Sequence, residues 1–374
     1  MTKFYRDTWV CIDMDALVHN YKQISDLRPK AAMIAVIKAN AYGHGDIQMA
    51  RLFSALGASY LGVSSLDEAL KLRKNEIQLP IIVLAPVKIR DVHLAARFDI
   101  TLIAYDEQWI RELAELDLLT TLKLHLEVET GMNRIGVCDV TQAYDLLSHM
   151  DQVIIEGIYT HIASADSDLE SVDRQLEAFG RIKESFKHDT FKYIHVANTA
   201  TTMQFDLADI NAHRVGLGLY GINPDDDFIK TGLNLRPAFS LYTRLTQVSR
   251  LKKGDQVSYG GTFVADHDMY IGTMSVGYAD GWCRANQGRS VLIKGYECEI
   301  IGRICMDQMM VKLPSAEFQI GDVVTLIGKG MTASRVANEL GTIAYEVLAL
   351  IGDRIPRVYL QNGEKVDCNL GRFG

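Results

Sequence analysis

The chain reads as an α/β protein, a (β/α)8 TIM barrel followed by a mainly β C-terminal domain. Two observations predict this. Apolar stretches at 33–38, 60–63, 81–84, 100–104, 122–128, 154–162, 193–198 and 213–220 alternate with amphipathic helical stretches, the βα rhythm of a barrel. After about residue 235 the rhythm stops, and residues 239–360 carry short β patterns with Gly-Asp turn signals at Gly254-Asp255 and Gly321-Asp322. A doubly wound open sheet is the structural alternative. No G-x-G-x-x-G follows an early strand, so its dinucleotide-binding version is unsupported.

Residues 1–13 hold a strand-like piece, Trp9-Val-Cys-Ile, ahead of the barrel pattern. It is expected to join the β domain, which sets the expected domains at 1–13, 14–235 and 236–374. Leu17, Tyr21, Ile24 and Leu27 recur at helical spacing over 15–27. The first barrel strand, 33–38, is a run of five apolar residues that ends on Lys38, followed by Ala-Asn-Ala-Tyr-Gly-His-Gly. Such a run is buried on both faces. Lys38 then lies at the strand's C-terminal end, where barrels carry their chemistry. An amine leaving an apolar wall is poorly solvated, which lowers its pKa and makes it a better nucleophile for an aldehyde. The plainer reading is a lysine snorkelling to solvent. Helices are expected between the strands, at 46–56, 65–74, 106–118, 141–149 and 168–187. In the β domain, Val291-Leu-Ile-Lys, Glu299-Ile-Ile-Gly and 323–327 read as strands, and 332–340 and 344–351 as short helices. No internal repeat or low-complexity segment is present.

With 374 residues the chain is long enough for two domains and a sizeable core. A formal net charge of −8 argues against nucleic acid or an anionic membrane as the main partner. The cysteines at 11, 138, 283, 298, 305 and 368 form no C-x-x-C pair and no zinc spacing. Reduced thiols and no metal are expected. Asp7 and Asp13 interrupt any secretory leader, and no apolar run has spanning length, so the expected location is the cytoplasm.

Eight segments, in order, carry a resemblance. They are Ala35-Val-Ile-Lys-Ala-Asn-Ala-Tyr-Gly-His-Gly, Thr130-Gly-Met-Asn-Arg-Ile-Gly, Thr160-His-Ile-Ala-Ser-Ala-Asp, His195-Val-Ala-Asn-Thr, Arg214-Val-Gly-Leu-Gly-Leu-Tyr-Gly, Ser258-Tyr-Gly-Gly-Thr, Val276-Gly-Tyr-Ala-Asp-Gly-Trp and Gly302-Arg-Ile-Cys-Met-Asp. Over nearly its whole length the sequence resembles the alanine racemase family, two-domain enzymes that use pyridoxal 5′-phosphate. The resemblance makes Lys38 the residue that holds the cofactor as a Schiff base and Tyr259 a second base on the opposite face of the substrate. A phenol ordinarily titrates near ~10, so a nearby cation is expected to assist it. Arg214 is implied as the partner of the pyridine nitrogen, with His161 behind it; an arginine cannot give that nitrogen its proton. Tyr42, Asn198, Thr199, Gly216 and Leu217 are implied around the phosphate. Arg134 is implied near the cofactor's phenolic oxygen and the substrate carboxylate, which the backbone N–H of Met306 also meets. Tyr278, Arg284, Arg303, Asp166 and Asp307 match residues of the access corridor or the dimer contact. The family's head-to-tail homodimer implies that Tyr259 and Met306 act on the other subunit's barrel. The implied role is supply of a D-amino acid for peptidoglycan precursors.

Two positions depart from the family. Glu127 stands where a lysine, often carbamylated, is usual; it is expected to orient Arg134 by a charge-assisted hydrogen bond. Asp353 stands where a tyrosine narrows the substrate pocket. A shorter, hydrogen-bonding residue there suits a hydroxylated substrate, as in the vancomycin-resistance serine racemases, and serine activity at alanine's expense is expected. Those enzymes carry a membrane domain before the racemase part; this sequence shows none, so either a soluble relative or the cytoplasmic catalytic domain of a longer membrane protein is expected. Two other classes compete: barrel-fold pyridoxal-phosphate decarboxylases, against which Arg214 argues, and single-domain cofactor carriers, against which the β domain and Tyr259 argue.

Overall fold

The computed structural model describes residues 4–187, 189–207, 209–225 and 228–371. The chain divides into two compact units, one built from Val18–Ala41 and Asp46–Leu235, the other from the N-terminal residues to Leu17, Tyr42–Gly45 and the chain from Arg236 onward.

The first unit is a TIM barrel. Its eight parallel strands lie in the order Tyr193–His195, Val153–Tyr159, Leu122–Glu127, Ile100–Ala104, Ile81–Val83, Tyr60–Val63, Ala32–Val36 and Ala212–Val215. The last and first of these are tied by Asn211 N–H to Ile194 O at 3.1 Å and Arg214 N–H to Ala197 O at 2.9 Å. Strands such as Tyr60–Val63 and Ile100–Ala104 are buried at every residue, which is why they read as apolar runs and not as alternations. Ile34, Tyr60, Ile82, Ile103, Tyr159 and Ala212 form one buried cluster. The helices begin where side chains can cap them. Ser65, Asp106, Asp139 and Asp168 each accept a backbone N–H three residues on.

Among the strand ends that differ from the sequence reading, three bear on the site. The first strand stops at Val36, and Lys38 already belongs to a turn. The strand expected over 193–198 ends at His195, because Asn198 caps an unforeseen helix, Thr199–Gln204. The strand expected over 213–220 ends at Val215. Gly216, at φ −116° and ψ −92°, breaks it into a 3-10 turn, Leu217–Tyr220.

In the second unit the long strand Phe239–Leu251 pairs with Met269–Met274 and with Val323–Ile327. Register shifts at Leu245/Gln247 and at Leu241/Tyr242 let one strand serve both neighbours. Through Met309–Leu313, Tyr296–Ile301 and Ser290–Ile293 the ladder returns to Val323–Ile327, so six strands form a ring. Thr8–Asp13 joins this sheet, antiparallel to Phe239–Leu251 and parallel to Arg357–Gln361. Short helices cover Ala333–Leu340 and Ala344–Ala349. Among the described residues no helix is long and apolar enough to cross a membrane.

Candidate active site

Lys38 opens a left-handed turn at the barrel mouth. Ala39, Asn40, Ala41 and Tyr42 all have φ of 52–53°, a conformation that costs L-residues roughly 1–2 kcal/mol each. Three hydrogen bonds hold it. Ala39 N–H donates to Glu68 at 2.7 Å, Ala41 N–H to Ile37 O at 2.9 Å, and Asp46 N–H to the Asn40 side chain at 3.0 Å. The Lys38 side chain is open to solvent along part of its length. Burial of its amine nevertheless pushes the pKa below the ordinary lysine value; Arg134 and Arg214 push the same way, and Glu68 opposes them. Glu68 was not singled out by sequence reading, and no motif marks it. It also accepts from Ser64 N–H at 2.8 Å.

Arg214 is buried on the last strand. Its Nη1 donates to His195 Nδ1 at 2.6 Å and His195 O at 3.0 Å; its Nη2 donates to Thr160 O at 2.8 Å and His161 Nδ1 at 3.2 Å. Among the described residues nothing accepts from Nε–H, which leaves one donor for a ring nitrogen. Because arginine only donates, His195 must accept at Nδ1 and donate through Nε2 to His125 Nδ1, 2.8 Å away. Burial and the Arg214 charge hold these histidines neutral: His125 and His161 are lowered to about 3, and His195 falls well below 6.5. Sequence reading placed His161 behind Arg214. The structure puts His161 on one side and the His195–His125 pair, which it missed, on the other. Gly157 makes room for that pair, since a Cβ there would lie 2.7 Å from His125 Nδ1.

Glu127 does not reach Arg134. It is 3% exposed, so it does not face solvent, and it accepts the Tyr159 hydroxyl at 2.5 Å. The two are opposite each other in the parallel ladder, which aims both side chains the same way. Among the described residues no hydrogen bond joins Glu127 to Arg134. Burial raises the carboxyl's pKa, while the Tyr159 hydroxyl, Arg214 and Arg134 favour its charge.

Thr199 sits where the loops after the last two strands meet. Its hydroxyl accepts from Gly216 N–H at 3.2 Å and Gly218 N–H at 3.5 Å, which leaves its own proton to donate. Gly218 is tightly packed: a Cβ there would lie 2.8 Å from the Met203 side chain and 2.9 Å from those of Ile24 and Thr199, which would have to shift. Asn198 accepts from Thr201 N–H at 3.0 Å as the cap of Thr199–Gln204. Hydroxyls and backbone N–H groups after the last strands suit a phosphate.

Most of the other expected residues lie in the β unit. Tyr42 is buried beside Tyr345, and burial with that neighbour raises its pKa. Tyr259 is 72% exposed, and the Arg303 guanidinium lies against Gly260, the next residue. Ser258 Oγ donates to Arg303 O at 2.6 Å, and Ala279 N–H to Met306 O at 3.0 Å. These bonds gather the 258–261, 277–281 and 303–308 loops, so Tyr259 and Met306 line one depression of about 510 Å³ with Arg6, Asp307 and Arg354. Tyr278 and Arg284 are exposed, and Arg354 donates to Asp307 at 2.7 Å. Asp353 is exposed, 3.8 Å from the guanidinium of the buried Arg357, which pins its loop by donating to Ile351 O and Gly352 O at 2.8 Å. Asp166, in the barrel unit, is half-buried.

The family profile described as "Alanine racemase, N-terminal domain" matches residues 12–224, and "Alanine racemase, C-terminal domain" matches residues 238–359. The chain is 40% identical to alanine racemase 1 of Bacillus subtilis over 96% of this chain and 95% of that one. It is similar to the crystal structure of alanine racemase from Bacillus anthracis with bound L-Ala-P, with a TM-score of 0.94, 37% identity and 98% of each chain covered. It is also similar to a histidine racemase from Leuconostoc mesenteroides, with a TM-score of 0.88, 32% identity, and 96% of this chain and 100% of that chain covered.

Proposed function

Because the chain belongs to the alanine racemase family of pyridoxal 5′-phosphate-dependent isomerases, we propose that it interconverts the L- and D-forms of alanine and serine, with Lys38 and Tyr259 as the two bases. The observation that carries this reading is the place of Lys38, at the barrel mouth where the first strand gives way to a left-handed turn held by Glu68, with the Arg134 and Arg214 charges both favouring its neutral amine. The chain's residues fit the cofactor. Lys38 supplies the nucleophilic amine, Arg214 a spare Nε–H, and Thr199 a spare hydroxyl proton beside the Gly216 turn. Bound there, the cofactor supplies an electron sink for the charge left at Cα.

The protein's own part is to bind and to move one proton. Arg214 keeps its protons, so it orients the cofactor ring without protonating it. That restrains charge build-up on the ring and disfavours side reactions. Arg134 and the Met306 N–H are assigned to the substrate carboxylate. Tyr42, Asn198, Gly216 and Leu217 are assigned to the phosphate corner. Lys38 Nζ takes or returns the Cα proton on one face, and the Tyr259 hydroxyl does so on the other. Tyr259 and Met306 are exposed on the β unit, which supports a homodimer in which they serve a second copy's barrel. The D-amino acid is assigned to peptidoglycan precursors. Arg214, in place of an acidic residue at the ring nitrogen, disfavours the decarboxylase reading.

The extension to serine rests on Asp353. A relative that racemises histidine indicates that this fold accommodates other side chains. Asp353→Tyr is expected to shift the kcat/KM ratio toward L-alanine over L-serine by about 10-fold or more. A tyrosine variant with no such shift sinks the serine assignment and leaves the racemase reading standing.

A further inference from the structure

The mechanism above leaves Glu127 without a role. Its one hydrogen bond among the described residues comes from the Tyr159 hydroxyl at 2.5 Å. The Tyr159 ring in turn stacks on His195, with centroids 4.6 Å apart and planes 9° apart, and its centroid lies 4.7 Å from the Arg214 guanidinium carbon. Arg214 and His195 are joined at 2.6 Å. One phenol ring therefore backs both partners of that hydrogen bond. The ring is buried, and the hydrogen bond to Glu127 fixes its hydroxyl end. A carboxylate that accepts a phenol's proton also enriches the ring in electrons, which strengthens its attraction for a guanidinium.

We propose that Glu127 is a positioning residue for Arg214: it fixes the Tyr159 ring that backs the guanidinium, and it does not work through Arg134. This rests on the reading of Arg214 as the partner of the cofactor's ring nitrogen. Glu127 touches neither cofactor nor substrate in this assignment. Its effect passes through one hydrogen bond and one ring face.

A double-mutant cycle tests this. Pyridoxal phosphate is titrated into the apo chain for wild type, Glu127→Leu, Tyr159→Phe and the double variant, with Arg214→Lys as reference; leucine fills the space and accepts no hydrogen bond. The readouts are the cofactor dissociation constant, the absorbance maximum of the bound cofactor, and the split between kcat and KM. Each single variant is expected to weaken cofactor binding about 5- to 20-fold and to shift the absorbance band in the same direction. The double variant is expected to be no weaker than the weaker single, because both cut the same link. Losses that multiply in the double variant overturn the proposal. So does a Glu127→Leu variant that raises the amino-acid KM while binding cofactor normally, since that is the signature of action through Arg134. Thermal unfolding of each apo chain identifies a variant that does not fold; if Glu127→Leu is one, Tyr159→Phe cuts the link from the other end, and normal cofactor binding by it overturns the proposal. If Arg214→Lys alters neither affinity nor spectrum, the reading of Arg214 itself fails, and the role of Glu127 with it.

Discussion

Lys38 combines two opposing electrostatic influences. Burial, Arg134 and Arg214 favour the neutral amine, and Glu68 favours the charged one. The neutral amine is the form that attacks an aldehyde. Covalent addition of pyridoxal phosphate to the apo chain, followed by absorbance, is therefore expected to rise with pH at a midpoint below 10.5. Glu68→Gln removes the one raising influence and moves that midpoint lower still; a move to higher pH contradicts the assignment. The sign carries over to stability. The folded chain binds fewer protons than the unfolded chain between the depressed pKa and 10.5, so Lys38's contribution grows as pH rises through that window.

At the scale of elements, two turns set the site, and they differ in how well the sequence announces them. The Gly216 turn is written in glycines, though the helix it meets, Thr199–Gln204, carries no apolar period long enough to mark it. Gly218→Ala is expected to destabilise the barrel by about 1–3 kcal/mol through overpacking and to weaken cofactor binding, read by thermal unfolding and by titration. Unchanged binding in that variant removes Thr199 and Gly216 from the phosphate corner. The turn after Lys38 is different. Asn40 tolerates positive φ, but Ala39, Ala41 and Tyr42 have no preference for it, so the local sequence does not forecast a left-handed turn of four residues. It exists because Glu68, Ile37 and Asp46 satisfy or anchor its backbone from outside the turn. The strain sits next to the Lys38 amine, and strained backbone is common at functional sites.

In the molecule as a whole, the barrel and the β-rich half were legible because buried parallel strands leave apolar runs and Gly-Asp turns leave breaks. The family was legible through ordered segments. The wiring of the site was not. That Glu127 faces Tyr159 and not Arg134 depends on register between two strands, and that His125 supports His195 depends on a glycine on a third element. Pairings between distant segments leave no trace in local spacing. The buried histidines have a collective consequence. His125 and His161 at about 3, His213 at about 4 and His195 well below 6.5 stay neutral in the fold, whereas the unfolded chain protonates them near 6.5. The unfolded state then binds more protons as pH falls, and stability drops by about 2 kcal/mol per histidine between neutral pH and pH 5. Glu127, raised by burial, works in the opposite sense but is a single group. A melting temperature that stays level from pH 7 to pH 5 contradicts this wiring.

The central claim, a two-base racemase, is tested most directly by incubating the cofactor-loaded protein with L-alanine and with L-serine in D2O and resolving the products by chiral chromatography. The expected result is a D-isomer from each amino acid, approaching equal amounts of the two hands with deuterium at Cα, and no D-isomer from the Tyr259→Phe variant. Pure L-isomer recovered from both incubations with the wild-type protein contradicts it.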